Sequence, residues 1–167
     1  MVLRELTALR GVSGNEAAVR DYILERIRPL ADVRIDRMGN LIAHKKGTEG
    51  ARHVVLCAHM DEVGLMVTGI DDTGYLTYDT CGGIDPRVIV SKRVLVGEKA
   101  VPGVIGAKPI HLQSKSEFES VMKHDSLVID IGAKDKADAE RQVNKGDFVS
   151  FDSEWVEFGA GMVKGKA

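Results

Sequence analysis

An α/β protein in two parts is the fold class this sequence predicts, and three observations predict it. Val19, Ile23, Ile27 and Leu30 recur at helical spacing. The run Val54 to Ala58 is short, apolar and partly β-branched, as in a parallel strand buried on both faces. Beyond Asp71-Asp72-Thr73-Gly74 the chain breaks into short apolar stretches separated by Gly-rich turns, the texture of a small barrel or sandwich.

Each element has its own signal. Val2 to Arg10 reads as a short helix stopped by Gly11. Ser13-Gly14-Asn15-Glu16 has capping-box spacing, so a longer amphipathic helix is expected from Glu16 to Arg28, with Pro29 helping to end it. Val33 to Arg37 alternates like a half-exposed strand. Gly39-Asn40 supplies turn chemistry before a strand at Leu41 to His44, and Gly47 to Gly50 reads as the next turn. The buried strand Val54 to Ala58 comes next, then another at Gly64 to Ile70. The short strands follow at Tyr75–Tyr78, Arg93–Val96, Ala100–Ile105, Leu127–Ile131 and Phe148–Phe151, interrupted by helical patches at Lys115–Lys123 and Lys136–Val143. The change of texture places a domain boundary near Ile70. Ser153 to Ala167 reads as Gly-rich connection.

Composition narrows the function. Lys and Arg number 23 against 25 Asp and Glu, with no basic patch, and aromatic residues make up only 5% of the 167 residues. Neither fits a nucleic-acid surface with stacked bases. A hydrophobic content of 44% supports a core without staples. Cys57 and Cys81 do not form a disulfide framework, and Cys57 is expected as a small core residue within its strand. No apolar stretch approaches a membrane span and no signal-peptide pattern opens the sequence, so a soluble cytoplasmic protein is the expectation.

The candidate site is the end of the apolar run, where His59 is followed by Asp61 and Glu62. Open α/β sheets bind ligands beyond the carboxyl ends of their strands. Imidazole is a common metal ligand, and a nearby carboxylate fixes its tautomer and raises its basicity. Spacing alone leaves a second reading open, because a lone histidine at a strand end is more often a hydrogen-bonded structural residue than a ligand. His44, His53, His111 and His124 complete no ligand cluster, and no His-Glu-x-x-His motif is present.

Longer motifs change that balance. Arg10-Gly11-Val12-Ser13-Gly14-Asn15-Glu16, Asp36-Arg37-Met38-Gly39-Asn40-Leu41 and Ala58-His59-Met60-Asp61-Glu62-Val63-Gly64 stand in this order. Gly103 to His111 and Asp130-Ile131-Gly132-Ala133 follow. Together they resemble the N-terminal half of the glutamyl/deblocking aminopeptidases, dinuclear metallopeptidases that form tetrahedral particles, some of them also called endoglucanases or cellulases. The resemblance implies a partial α/β metallopeptidase catalytic domain over residues 1–70. It implies an inserted β-barrel-like dimerisation and assembly domain over 71–157, and a return segment over 158–167.

It further implies His59 as a ligand of one of two divalent ions, zinc or cobalt. Asp61 would be the catalytic-site residue that orients His59 or tunes the site, and Glu62 is left as a possible structural carboxylate. Peptide substrates and a homo-oligomer are implied as partners. Family members are about twice this length, and their bridging aspartate, paired glutamates, further aspartate and final histidine lie beyond the matching region. The chain is therefore expected to be incomplete, inactive alone and a weak metal binder. A non-catalytic oligomerisation module is the alternative. A glycoside hydrolase fits least, because Asp61 and Glu62 are adjacent and their side chains should diverge.

Overall fold

The computed structural model describes residues 2–48 and 52–166. Its centre is a closed six-stranded barrel with strand order β3-β4-β7-β6-β5-β8. The strands are β3 (Gly64–Ile70), β4 (Leu76–Cys81), β5 (Arg93–Val96), β6 (Val101–Ala107), β7 (Leu127–Asp130) and β8 (Phe148–Phe151), and every neighbouring pair is antiparallel. Closure leaves no sheet edge exposed. The alternation read in the sequence is realised: Leu65 and Val67, Val94 and Val96, and Leu127 and Ile129 all turn inward and are buried. A register shift between Val67 and Gly69 bends β3, as a bulge does where a sheet curls into a barrel.

Two short helices contribute buried residues to the barrel core. α3 (Pro86–Ile89) is started by Asp85, whose carboxylate accepts from the Arg87 amide, and it buries Ile89. α5 (Lys136–Glu140) is started in the same way by Asp135 and buries Ala139, while Val143 just beyond it joins the same core. α4 (Lys115–Glu119) lies on the β6–β7 connection. The β3–β4 turn is built by Asp71, whose carboxylate accepts from the amides of Thr73 and Tyr75. Gly74 there takes a positive φ of 91°, which explains why the Asp-x-x-Gly pattern was legible as a turn.

The N-terminal segment packs outside the barrel. It comprises α1 (Val2–Ala8), α2 (Ala17–Ile27) and a hairpin of β1 (Asp32–Ile35) with β2 (Leu41–His44). Asp36 fixes that hairpin by accepting from the amides of Met38 and Asn40. Residues 11–13 run parallel to 61–63: the Glu62 amide donates to Gly11 O at 2.8 Å, and the Ser13 amide donates to Glu62 O at 3.1 Å. The Arg10 guanidinium reaches the barrel and donates to Gly97 O and Glu98 O at 2.6 and 3.0 Å.

Several sequence expectations are corrected. Val54 to Ala58 forms no strand, and Val54, Val55 and Leu56 are 79%, 82% and 94% exposed. An apolar run becomes a buried parallel strand only with strands beside it and layers on both faces, and the described residues supply neither. Cys57 is exposed with it rather than in a core. His59 and Asp61 therefore follow an extended segment, not a strand end. The first barrel strand spans Gly64–Ile70. α2 buries only Val19 fully, and its start carries no side-chain cap bond. The Ser153–Ala167 stretch, expected as connection, contains a hairpin of β9 (Val156–Phe158) and β10 (Met162–Lys164). The turn expected at Gly47 to Gly50 extends into residues outside those described, as does Ala167.

Candidate functional site

The site is organised by the connector between the exposed segment and the barrel, residues 59–62. Because residues 11–13 are laced to this connector through main-chain bonds, the side chains of Ser13, Asp61 and Glu62 are held from two directions. Gly11 permits the close approach: a Cβ there would stand 2.7 Å from a Val19 methyl and 3.2 Å from Met60 O.

The His59 ring is 84% exposed and is anchored by one nitrogen. Nδ1–H donates to Asp61 O at 2.9 Å and to Asp61 Oδ1 at 3.1 Å. The carbonyl can only accept, and the ionised carboxylate accepts as well, so the proton belongs on Nδ1 and the lone pair on Nε2 of this exposed ring. The other carboxylate oxygen of Asp61 accepts from the Ser13 hydroxyl. That bond is the main cause holding the Asp61 carboxyl below its ordinary value, with desolvation opposing it and the His59 contact adding to it.

Glu62 points the other way. Its Oε1 accepts from the Gly11 amide at 3.1 Å and pairs with Lys166 Nζ at 2.9 Å, the two side chains being 11% and 10% exposed. Glu62 thus ties Gly11 and Lys166 to the connector. A cleft of about 200 Å³ beside His59 has an apolar wall of Leu6, Leu9, Val19 and Ile23, closed by Lys166. A larger cleft of about 740 Å³ lies between the N-terminal segment and the barrel, at Arg10, Asn15, Lys99 and Phe148. Neither His59 nor Asp61 lines it.

The donor set fits one corner of a metal centre. His59 offers one oriented imidazole nitrogen, while the carboxylates of Asp61 and Glu62 are committed to protein partners. Among the described residues no group of three or more His, Cys, Asp or Glu side chains could hold a metal ion. His124, the most enclosed of the remaining histidines, is engaged elsewhere: Tyr78 Oη–H lies 3.2 Å from its Nδ1, and its Nε2 lies 2.9 Å from Ile84 O.

Sequence reasoning misses two participants. The spacing reads Ser13 as part of a capping box, and it instead binds Asp61. Lys166 reads only as a tail residue, and it pairs with Glu62. A capping pattern does not distinguish a serine that caps from one that turns to a carboxylate 48 positions later, and no local signal pairs Glu62 with Lys166.

Known proteins carry the same arrangement of chain. A lysyl aminopeptidase of Pyrococcus furiosus is 36% identical over 146 residues, covering 83% of this chain and 41% of its own. A TET aminopeptidase from a marine sediment Thaumarchaeota archaeon superposes with a TM-score of 0.88 at 32% identity, over 95% of this chain and 46% of its own. The Pyrococcus horikoshii TET1 peptidase, described as able to assemble into a tetrahedron or a large octahedral shell, gives a TM-score of 0.79 at 40% identity, over 92% and 46%. The chain spans about half the length of the curated relatives it matches. Residues 39–167 match the model of the M42 glutamyl aminopeptidases, and with the barrel and the His59–Asp61 connector in place the chain belongs to that family.

Proposed function

We propose that this chain is the N-terminal portion of a metal-dependent aminopeptidase, a hydrolase that removes N-terminal residues from peptides. The observation that carries the reading is the His59 ring, anchored through Nδ1 on Asp61 and otherwise exposed at the lining of a cleft. In this reading His59 is the metal ligand and Asp61 is the catalytic-site residue that fixes its tautomer and orientation. Glu62 acts through position alone, tying Gly11 and Lys166 to the connector. The cofactor is a pair of divalent ions, zinc or cobalt, which when bound would supply Lewis-acid polarisation and a water of lowered pKa. One imidazole cannot hold a catalytic zinc, which takes three protein ligands. The remaining donors must come from elsewhere, and the chain alone is read as inactive.

The residues before Gly64 are read as part of the α/β catalytic domain. The β-rich part, expected over 71–157 and holding the barrel whose strands run from Gly64 to Phe151, is read as the inserted assembly domain, with 158–167 returning toward the catalytic domain. A homo-oligomer acting on peptides in the cytoplasm completes the reading. No described helix is long and apolar enough to cross a membrane.

One observation favours a second reading. The barrel core is closed and every member of it lies between Leu65 and Val149, as in a self-sufficient oligomerisation module without catalysis. The glycosidase reading loses support, because neither Asp61 nor Glu62 is a free carboxylate across a cleft from the other. The test is peptide hydrolysis with added zinc or cobalt. The 167-residue chain should show no turnover. The same chain joined to the C-terminal half of a relative should show chelator-sensitive release of N-terminal residues, lost in His59→Ala. Turnover by the chain alone would refute the reading of which residues build the site, and a completed protein indifferent to His59→Ala would refute the role of His59.

A further inference from the structure

We propose that Ser13 is a positioning residue of the His59 site, acting through Asp61. The proposal rests on the reading of His59 as a ligand, and deepens it. Its basis is a continuous hydrogen-bond chain of three side chains across two segments. The Ser13 hydroxyl donates to one carboxylate oxygen of Asp61, and the other accepts from His59 Nδ1–H at 3.1 Å. A carboxylate held at one oxygen only can turn about its χ2 torsion, and that torsion is broad for Asp. Held at both, it fixes the plane in which the imidazole must lie.

Ser13 is well placed for this. Its amide donates to Glu62 O at 3.1 Å, and the Asn15 amide closes a turn onto Val12 O at 2.7 Å, so the serine backbone is fixed on both sides. The flanking Gly14 has a φ of 90°, a left-handed conformation that costs glycine nothing. It lets the chain turn away into α2 while the Ser13 side chain stays on the connector. The hydroxyl is not a helix cap: α2 begins at Ala17 with Glu16 as its N-cap, three residues beyond Ser13. The hydroxyl's other contact, with Glu62 O at 3.4 Å, is the longer of the two, so Asp61 is its principal partner.

The second acceptor for His59 Nδ1–H, the Asp61 carbonyl at 2.9 Å, limits the effect expected. Losing Ser13 loosens one of two anchors and does not free the ring. Hydrogen bonds in such chains strengthen one another by about 10–30% per bond, and bonds to charged groups are the strong ones. The ratio of Nδ1–H to Nε2–H imidazole should therefore fall about two- to fivefold in Ser13→Ala. Affinity for a divalent ion in a completed protein should fall by less than the about 10–100-fold seen when a direct partner of a ligand is lost.

The experiment is long-range ¹H–¹⁵N NMR of the His59 ring in the 167-residue chain, at a pH well above the ordinary histidine pKa of about 6.5, where nitrogen shifts report the tautomer. Wild type should favour Nδ1–H. Ser13→Ala and Ser13→Val should lower the ratio, Ser13→Thr should restore it, and Asp61→Asn should change it most. A wild-type ring favouring Nε2–H overturns the proposal at its first link. So does a ratio unmoved in Ser13→Ala, or one lowered equally in Ser13→Val and Ser13→Thr. Loss of folding in Ser13→Ala and Ser13→Val with folding kept in Ser13→Thr would place the hydroxyl in stability instead and also overturn it. The readout needs no turnover, so it can stand or fall separately from the aminopeptidase reading.

Discussion

Gly64→Ala tests whether the barrel and the candidate site are one mechanical unit. Gly64 opens β3 two residues after Glu62, and a Cβ there would stand 2.6 and 2.7 Å from the two methyls of Val12 and 2.7 Å from Val149 O. Comfortable carbon contacts are about 3.5–4.0 Å, so all three atoms would have to retreat. None does so easily. Val149 sits in β8, paired in register with Leu65. Val12 is 2% exposed, and its β-branched side chain has few rotamers to try. The segment 11–13 must then shift as a body and take Ser13 with it. Overpacking of this kind costs about 1–3 kcal/mol, which for a protein of this size is about 2–4 °C in Tm per kcal/mol. Urea and thermal unfolding followed by circular dichroism measure the cost, and amide NMR shifts at Ser13 and Asp61 report the movement. Val12→Ala in the same chain removes two of the three clashes and should recover part of the loss, leaving the Val149 carbonyl. A Gly64→Ala chain within about 0.5 kcal/mol of wild type, with unshifted Ser13 and Asp61 amides, would refute the idea that close packing at Gly64 holds the site.

Three further outcomes are expected. Leu56→Ala should change the stability of this chain by less than about 0.5 kcal/mol because Leu56 is 94% exposed, whereas Ile129→Ala, fully buried in the barrel, should cost about 2–5 kcal/mol in urea unfolding. Lys166→Met strands the shielded Glu62 carboxylate and should cost about 3–5 kcal/mol, with the double variant Glu62→Gln/Lys166→Met costing less than the sum; additive losses would show that the two side chains do not interact. Burial pushes the Tyr78 phenol up to about 12, against about 10 in an unfolded chain. The unfolded state then releases this proton first as pH rises, so stability is unaffected by Tyr78 below about pH 10 and declines through 12; Tyr78→Phe should flatten that decline in alkaline unfolding curves.

The sequence was most legible where structure is decided locally. β3, β5 and β8 begin and end where alternation and turn residues put them, because a small barrel rewards period-two burial with a closed core and each Asp or Gly turn is self-contained. Asp71 and Asp36 bond to amides two and four residues on, and such bonds are visible in the residue order. Val54 to Ala58 failed for the opposite reason. Its pattern describes an environment, two flanking strands and two covering layers, that the described residues do not provide, so the same apolar side chains stand in solvent. His59 and Asp61 were legible as a pair because they are two residues apart. The bonds from Ser13 to Asp61 and from Lys166 to Glu62 join residues 48 and 104 positions apart, and no periodicity carries that information.

The path of the chain around Glu62 bears on what the barrel is. The chain enters the barrel through Glu62 and Val63, makes all six strands, and leaves at Phe151. Arg93 in β5 pairs with Asp152 and Glu154 on the way out. The β9–β10 hairpin then turns the chain back until Lys166 meets Glu62 at 2.9 Å and Gly165 lies against Thr7 of α1. The segment that follows the barrel is thus pinned beside the point of entry, and the pin is a nearly buried ion pair made on the connector that carries His59 and Asp61. Domains whose ends lie close together are those that can be inserted into another domain without disturbing it. This return supports the proposed reading of the barrel as an insertion, and it places a contact on the connector that carries the histidine.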